Sequence, residues 1–247
     1  MATIYDVAAY AGVSPKTVSR VINGDAPVSD KTRAKVETAI AALGYIPSSA
    51  ARVMRSNRSD LVGLITGAIS RTGEHSGVHG LPDMFLIKGI QQKIREAGKT
   101  LMIADTDNRY EQIDPLVRTF MEHRAEGILY VTESHREIVL PELPNRCPMV
   151  LVNCFDAVGT PSVLPDDERG QYDLVRNIIR RGHRRIAYIT LQAGAEATRL
   201  RLAGYRRALD ESNMVFDPDL VQTGITDFAN DSEPLIAAVL KLLSLAD

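Results

Sequence analysis

The chain carries near its start the stretch Val13-Ser14-Pro15-Lys16-Thr17-Val18-Ser19-Arg20-Val21-Ile22-Asn23. Ser14 is a typical helix N-cap, because its hydroxyl oxygen can accept a hydrogen bond from an unpaired backbone N–H of the first turn. Pro15 suits the first helical position, where its missing N–H would have had no partner. Apolar residues then recur at helical spacing, at Val18, Val21 and Ile22. The stretch therefore predicts a short helix with one apolar face.

The opposite face of this predicted helix carries cationic, hydroxyl and amide groups, on Lys16, Thr17, Arg20 and Asn23. Arginine can pair with guanine through two hydrogen bonds, asparagine can pair with adenine, and lysine can bind guanine or phosphate. A short helix that is apolar on one side and polar in this way on the other suits the reading of bases in the major groove of DNA.

A second helix pattern comes directly before this one. Thr3 and Asp6 have the spacing of a capping box, and apolar residues follow at helical spacing. Gly12 lies where a helix would end in the left-handed conformation. Two short helices joined by Gly12-Val13-Ser14 form a helix-turn-helix, whose second helix is the recognition helix. The spacing alone also fits an ordinary pair of helices with a solvated polar face.

The first 46 residues are predicted to form a small all-α bundle. A third helix is expected from Ser29-Asp30 to Gly44, with Val36, Ala39, Ile40 and Leu43 on its apolar face. Charge supports a nucleic-acid module at this end of the chain. Residues 1–60 hold eight Lys/Arg and five Asp/Glu, a net +3, whereas the remaining 187 hold 21 and 26, a net −5.

Residues 47–60 form a predicted linker, for which two interpretations are open. The segment is basic through Arg52, Arg55 and Arg58, and it also contains the apolar pair Val53-Met54. It could be a flexible, solvated linker. Alternatively, it could be a short helix that orders only on DNA, with apolar side chains wedged into the minor groove and arginines on phosphates.

From Leu61 onward, strand and helix patterns alternate. Leu61–Ile65 is a continuous apolar run, which is typical of a buried parallel strand. Further strands are predicted at 100–105, 127–132, 149–154 and 185–190, and helices at 83–97, 111–123, 169–181, 197–212 and 234–245. Repeated βα units predict an α/β core with a doubly wound parallel sheet. Ligands of such sheets bind at the carboxyl ends of the strands.

Composition argues against secretion and against a membrane protein. The 247 residues are 45% hydrophobic, which is enough for a substantial core. Asp6 interrupts any signal-like apolar start, and no apolar run reaches membrane-spanning length. Cys147 and Cys154 lack metal-ligand spacing, and we expect them to be reduced thiols. A cytoplasmic protein is therefore expected.

Several motifs occur in order along the whole chain: Thr3-Ile4-Tyr5-Asp6-Val7-Ala8, Gly12-Val13-Ser14, Thr17-Val18-Ser19-Arg20-Val21, Leu43-Gly44-Tyr45-Ile46-Pro47, Gly182-His183-Arg184-Arg185-Ile186-Ala187-Tyr188 and Arg199-Leu200-Arg201-Leu202-Ala203-Gly204-Tyr205. Together they resemble the lactose-repressor (LacI) family of bacterial transcription regulators. The resemblance implies a homodimer on pseudo-palindromic operator DNA and a hinge helix in the minor groove. It also implies an effector core of periplasmic-binding-protein type, with subdomains at 61–165 and 166–247.

The resemblance also implies which residues contact DNA. The base-reading positions of the family match Pro15, Lys16 and Arg20, and its minor-groove wedge, usually leucine, matches Met54. Because Pro15 has no side-chain donor, we expect Lys16 and Arg20 to carry specificity. The full set of expected DNA contacts is Thr3, Tyr5, Ser14, Pro15, Lys16, Thr17, Ser19, Arg20, Asn23, Ala51, Met54 and Arg55.

For the effector, the arginine that grips the ligand in the family matches Arg201, whose planar guanidinium can bind two hydroxyls or a carbonyl. The alternative is a salt bridge on the outer face of its helix. Asn153 matches a polar effector-contacting position, and Thr132 is a further strand-end candidate. One carboxylate of Asp166-Asp167 is expected to cap the next helix, and Asp167 is also a candidate effector contact. No cofactor is expected.

A neutral sugar is the predicted effector, because no basic cluster lies near the predicted pocket. The run from Val152 to Tyr172 resembles that of sucrose-operon repressors. The alternative is a nucleobase-responsive regulator, whose pocket would need aromatic walls such as Phe85 and Phe155. An enzyme is not expected, since the dinucleotide, P-loop and nucleophile-elbow motifs are all lacking. An exported sugar-binding protein would carry a signal sequence and no basic helical head.

Two departures from the family pattern stand out. The loop at 70–82 is long and holds His75 and His79, but Gly77 and Gly80 favour a loop, and a metal site is not expected. The chain also ends at Asp247, before further βα units of the family. We therefore expect an incomplete second subdomain, weakened effector binding, and a helix at 234–245 that lacks part of its packing surface.

Overall fold

The computed structural model describes residues 2–24, 27–47, 58–67, 81–107, 109–142, 148–224 and 233–245, with side chains from Phe85 onward in the helix that starts at Leu81. The chain divides into two compact units, Met1–Ser59 and Asp60–Asp247. The predicted hinge contacts Ala51, Met54 and Arg55 lie outside the described residues, as do His75, His79 and Cys147.

The first unit contains helices α1 (Ile4–Ala11), α2 (Pro15–Asn23) and α3 (Asp30–Leu43). Each begins at a side-chain cap, from Thr3, Ser14 and Ser29, and each ends at a glycine with positive φ. Their apolar faces meet in one core, formed by Val7, Ala8, Ala11, Val18, Val21, Val36 and Ala39. The predicted helical head is confirmed.

The second unit begins with a five-stranded parallel sheet. Its elements are β1 (Leu61–Thr66), α4 (Leu81–Glu96), β2 (Thr100–Asp105), α5 (Ile113–Glu122), β3 (Gly127–Glu137), β4 (Met149–Phe155) and β5 (Ser162–Val163). The strand order is β2-β1-β3-β4-β5. Separate apolar clusters form around Phe120 of α5 and around Ile87 of α4. Apolar packing against helices explains why these strands read as continuous apolar runs.

Strand β3 is longer than the sequence predicted. The apolar run stops at Thr132, but the strand continues to Glu137 after an irregularity between Val131 and Arg136, where pairing with β4 resumes at Cys154. The polar run that follows Thr132 gives no strand signal, because bulged segments do not follow the two-residue alternation. This extension carries His135 into the interior, where its side chain is 5% exposed.

The remaining elements are α6 (Asp167–Arg180), β6 (Tyr188–Thr190), α7 (Glu196–Asp210), β7 (Val221–Thr223) and α8 (Glu233–Ser244). Strands β6 and β7 form a separate two-stranded parallel sheet. The prediction that a strand starts at Arg185 is wrong, since β6 starts at Tyr188. Strand β7 was not predicted, because three residues are too few to show periodicity.

Helices α6 and α7 pack closely at Gly204. A Cβ at this position would overlap the carbonyl oxygen of Glu168 and lie 3.0 Å from the backbone nitrogen of Tyr172. Next to it, Tyr205 is buried, and its hydroxyl donates to the carbonyl oxygen of Ile186 at 2.8 Å. Burial raises the pKa of Tyr205, which is therefore a neutral donor.

Helix α8 is apolar on several sides and leaves much of this surface uncovered. Its exposed apolar side chains are Leu235, Ile236, Val239, Leu240 and Leu243. Only Ala238 of this helix is buried. Five large apolar side chains of this helix are thus exposed.

We expect Gly204→Ala to lower the free energy of unfolding by about 1–3 kcal/mol or more, because overpacking forces two backbones apart. Gly89→Ala is the matched control, since a Cβ there meets nothing within 4 Å. In an exposed helix, that control should be neutral or stabilise by up to about 1 kcal/mol. Urea unfolding of both variants tests this. Equal midpoints for Gly204→Ala and the wild type would contradict the tight packing.

Candidate DNA-binding surface and effector pocket

The start of α2 fixes the orientation of its polar face. The Ser14 Oγ accepts from the backbone N–H of Thr17 at 3.2 Å and lies 2.9 Å from the Thr17 hydroxyl. Pro15 occupies the first helical position. Val18 and Val21 are fully or almost fully buried, so that the other side of the helix faces outward. Sequence and structure agree on this face.

Lys16 and Arg20 project from this outward face, one turn apart. Both are exposed. Residues four apart lie on the same side of a helix. No carboxylate of the described residues pairs with either side chain, so their donors are available to a ligand. Tyr5 of α1, another predicted DNA contact, is 71% exposed.

Asn23 differs from this pair. Its Nδ2 donates to the carbonyl oxygen of Ser19 at 2.5 Å and to the Ser19 Oγ at 3.2 Å. The amide that was predicted to pair with adenine is thus already bonded within its own helix. Base reading by Asn23 would first have to break this contact, which lowers its net value.

Thr3 and Asp6 form the predicted capping box. The Thr3 backbone N–H donates to the Asp6 Oδ2 at 2.8 Å, and the Thr3 hydroxyl donates to the same oxygen at 2.7 Å. Both hydrogen bonds lower the pKa of Asp6, and the bond from the hydroxyl has the larger effect. The hydroxyl of Thr3 therefore holds the cap in this structure.

The predicted effector residue Arg201 lines a cavity of about 530 Å³ in the second unit. The cavity lies between the start of α6, the carboxyl end of β6, α7 and α8. Its polar lining consists of Asp166, Asp167, Gln171, Tyr188, Thr190 and Arg201, and the rest is mostly aliphatic. Its position at a strand end is the one expected for a ligand site in an α/β fold.

The two neighbouring carboxylates have different roles. The Asp166 Oδ1 accepts from the backbone N–H of Arg169 at 3.2 Å and so caps α6. Asp167 is buried and has two partners. Its Oδ1 accepts from the Arg201 Nε at 2.6 Å, and its Oδ2 lies 2.8 Å from the His135 Nδ1. The structural role of a cap therefore falls to Asp166.

Arg201 combines features of both interpretations of its role. Arg201 forms an ion pair with Asp167, as the salt-bridge interpretation expects. It nevertheless lines the cavity and so does not lie on the outer face of its helix. Its side chain remains 41% exposed. The guanidinium is thus held through Nε, while its other N–H groups have no partner among the described residues.

Thr132 and Asn153 lie elsewhere. The Thr132 hydroxyl donates to the Asn153 carbonyl oxygen at 2.9 Å, and the Asn153 Nδ2 donates to the Thr132 carbonyl oxygen at 3.0 Å. Asn153 has a φ of 62°, unusual for a non-glycine residue. Thr132 lines a second cavity of about 350 Å³ at the ends of β1 to β3. The structure does not bring the four predicted effector residues into one cavity.

Three residues of this region were not predicted. Gln171 and Tyr188 line the cavity of Arg201, and His135 contacts it through Asp167. Burial raises the pKa of Tyr188, so that its hydroxyl is a neutral donor. His135 could not be found from the sequence, because it lies in the polar run after Thr132, which gives no strand signal.

Neither aromatic residue proposed for a nucleobase pocket lines the Arg201 cavity. Phe85 on α4 is mostly exposed. The ring of Phe155 makes an edge contact with the ring of His135 at 5.8 Å between centroids. Cys154 is free and buried, and burial raises the pKa of its thiol.

Two other kinds of feature are absent from the described residues. These residues contain no group of three or more His, Cys, Asp or Glu that could hold a metal ion. They also contain no helix that is both long and apolar enough to cross a membrane.

A helix-turn-helix unit followed by an α/β core with a polar strand-end pocket defines a ligand-responsive transcription regulator. Residues 3–48 match the bacterial regulatory proteins of the lacI family. Residues 84–244 match the periplasmic binding proteins and sugar binding domain of the LacI family. The chain belongs to the LacI family.

Known relatives agree with this assignment. The chain is 33% identical to the ribose operon repressor of Escherichia coli K12, over 92% of this chain and 67% of the relative. It is 30% identical to the transcriptional repressor PurR of Aliivibrio fischeri MJ11, over 100% of this chain and 70% of the relative. These relatives are repressors, which is the class of protein predicted for this chain.

A solved structure also matches, the lac repressor dimer bound to operator and the anti-inducer ONPF. The identity is 27% and the TM-score 0.67, over 87% of this chain and 63% of that chain. The chain thus spans about two thirds of the length of the relatives that it matches.

We expect the stability of α1 to depend on the ionisation of Asp6. A carboxyl whose pKa is lowered in the folded state stabilises the fold above its unfolded pKa, and this contribution is lost as the pH falls through the folded pKa. Asp6→Asn should therefore destabilise α1 at pH 7, and its difference from the wild type should shrink in acid. Urea titrations followed by α1 amide resonances measure this. Glu37→Gln on α3 is the control, and a pH-independent difference would contradict the assignment.

Proposed function

We propose that this chain is a sequence-specific DNA-binding repressor that recognises operator DNA through Lys16 and Arg20. The observation that carries the proposal is the placement of both cations on the exposed face of one short, capped helix. Such a helix fits the major groove, and arginine and lysine there pair with guanine. The lac repressor structure, described as a dimer bound to operator, supports a homodimer on duplex DNA.

For the effector we propose a neutral sugar. The cavity of Arg201 holds one guanidinium and two carboxylates, so it carries no excess positive charge for a phosphate. It offers amide, hydroxyl and guanidinium donors beside aliphatic walls, which suits a molecule with many hydroxyls and an apolar ring face. Similarity to the ribose operon repressor supports the same class.

A nucleobase is the second candidate. The presence of the aromatic residue Tyr188 among the lining residues favours it. Tyr188 is, however, the only aromatic residue among the described lining residues. A planar base would therefore find one stacking surface and not two, and for this reason we prefer the sugar.

The proposed control of DNA binding is coupled ordering of the linker. Without effector, two cores would hold their linkers at 47–60 close enough to fold as helices in the minor groove. Effector binding would separate them, and specificity would fall while phosphate attraction remained. These events would take place in the cytoplasm.

We expect Lys16→Ala and Arg20→Ala each to lower affinity for the preferred duplex about 5- to 150-fold, because a base contact of this kind contributes about 1–3 kcal/mol. The duplex would be selected from a random library by the wild-type chain, and affinities compared at one salt concentration. Lys35→Ala on α3 is the charge-matched control and should weaken all duplexes about equally. Unchanged selectivity in both recognition-helix variants would refute the proposed surface.

We expect neutral sugars to raise the melting temperature of the chain, since a ligand that binds only the folded state stabilises it. The panel consists of D-ribose, sucrose and cellobiose, with ribose 5-phosphate and hypoxanthine as the competing classes, each at high millimolar concentration. Arg201→Lys should abolish the shift, because lysine cannot form the planar two-point contact. A shift with hypoxanthine alone would select the second candidate.

A further inference from the structure

His135 is a buried histidine with one defined partner. Its side chain is 5% exposed, and the Asp167 side chain that it meets is 3% exposed. Their Nδ1 and Oδ2 are 2.8 Å apart. An ionised carboxylate can only accept, so Nδ1 carries the hydrogen of this bond. The edge contact with Phe155 fixes the other side of the ring.

The contact belongs to a chain of three side chains on three elements. His135 lies on the irregular part of β3, Asp167 is the first residue of α6, and Arg201 lies on α7. Each oxygen of Asp167 has its own partner, since Oδ1 accepts from the Arg201 Nε at 2.6 Å. The network therefore joins the five-stranded sheet to the helices of the second subdomain.

The bond to Asp167 determines what Arg201 can offer to a ligand. A guanidinium has five N–H donors in a fixed plane. With Nε–H bonded to Asp167, the four Nη–H donors remain, and no described residue accepts from them. A carboxylate held by a single partner could rotate and carry the guanidinium with it. Held at both oxygens, Asp167 sets the plane of the guanidinium.

A second carboxylate, that of Glu196, has its own partner. The pKa of Glu196, at the start of α7, is lowered, first by hydrogen bonds from Arg199 and to a smaller extent by the charge of His135. Arg199 is thus the partner of Glu196, and Asp167 is the carboxylate that bonds to the His135 ring.

We propose that His135 is a positioning residue of the effector pocket, which fixes Asp167 so that Arg201 presents its Nη–H donors to a pair of acceptor oxygens on the effector. The effector class that follows is a neutral polyol with two adjacent oxygens. The proposal rests on the proposed effector site. It adds a residue on the other subdomain that no motif of the sequence indicates.

The test is the Arg201 Nε–H resonance in a ¹H–¹⁵N spectrum of the 247-residue chain at pH 7, assigned by its loss in Arg201→Lys. His135→Phe keeps a planar ring but removes the donor. His135→Asn retains a donor near the position of Nδ1. We expect hydrogen exchange of this resonance to accelerate about tenfold or more in His135→Phe, as for the loss of a charged hydrogen bond. His135→Asn should restore slow exchange.

A control variant and two contrary outcomes complete this test. His123→Phe, at an exposed position after α5, should leave the resonance unchanged. Slow exchange in His135→Phe overturns the positioning role, and so does equal acceleration in His135→Phe and His135→Asn, because a merely structural loss of the imidazole would affect both. D-ribose titrations of the same variants provide the second measurement. If exchange accelerates in His135→Phe as expected but the wild type binds no sugar or base, the proposed effector is refuted. The role of His135 in positioning Arg201 is then still supported.

Discussion

A buried carboxylate needs hydrogen-bond partners for its charge. Those of Asp167 lie on two different elements, strand β3 and helix α7. The ionised group is nearly inaccessible to water, so its desolvation must be offset by hydrogen bonds to both oxygens. Arg201 supplies one of these bonds and His135 the other. The pocket wall, the start of α6 and the extension of β3 all depend on this arrangement, because none of them can move without leaving a buried charge short of a partner.

The helical head is organised differently, by local interactions. Its helices begin at hydroxyl caps, end at left-handed glycines and share one small core. Such signals lie within a few residues of each other, and the sequence therefore predicts them well. The orientation of Lys16 and Arg20 follows from the buried Val18 and Val21 alone. The bond from Asn23 to the Ser19 carbonyl oxygen was not predicted, because this acceptor belongs to the backbone and is not visible in a pattern of side chains.

The α/β core shows where sequence reasoning stops. Continuous apolar runs located β1 and β4, and the capping pair before Arg169 located α6 and its cap. The path of β3 beyond Thr132 could not be predicted, because the stabilising contacts of that segment are long-range: His135 meets a carboxylate 32 residues away. The resemblance identified Arg201 but not its partners. Motifs in the sequence therefore indicated a residue of the pocket. Its hydrogen-bond partners depend on burial and on distances in the folded chain, which the sequence does not show.

The absence of a side chain at Gly204 has a mechanical consequence. Helices α6 and α7 touch through their backbones there, and interlocked backbones cannot slide past each other by a fraction of a turn. Shear between these helices is therefore opposed at this point, because it would press the two backbones together. Because Asp167 lies on α6 and Arg201 on α7, the same close packing keeps the two partners of this ion pair within bonding distance.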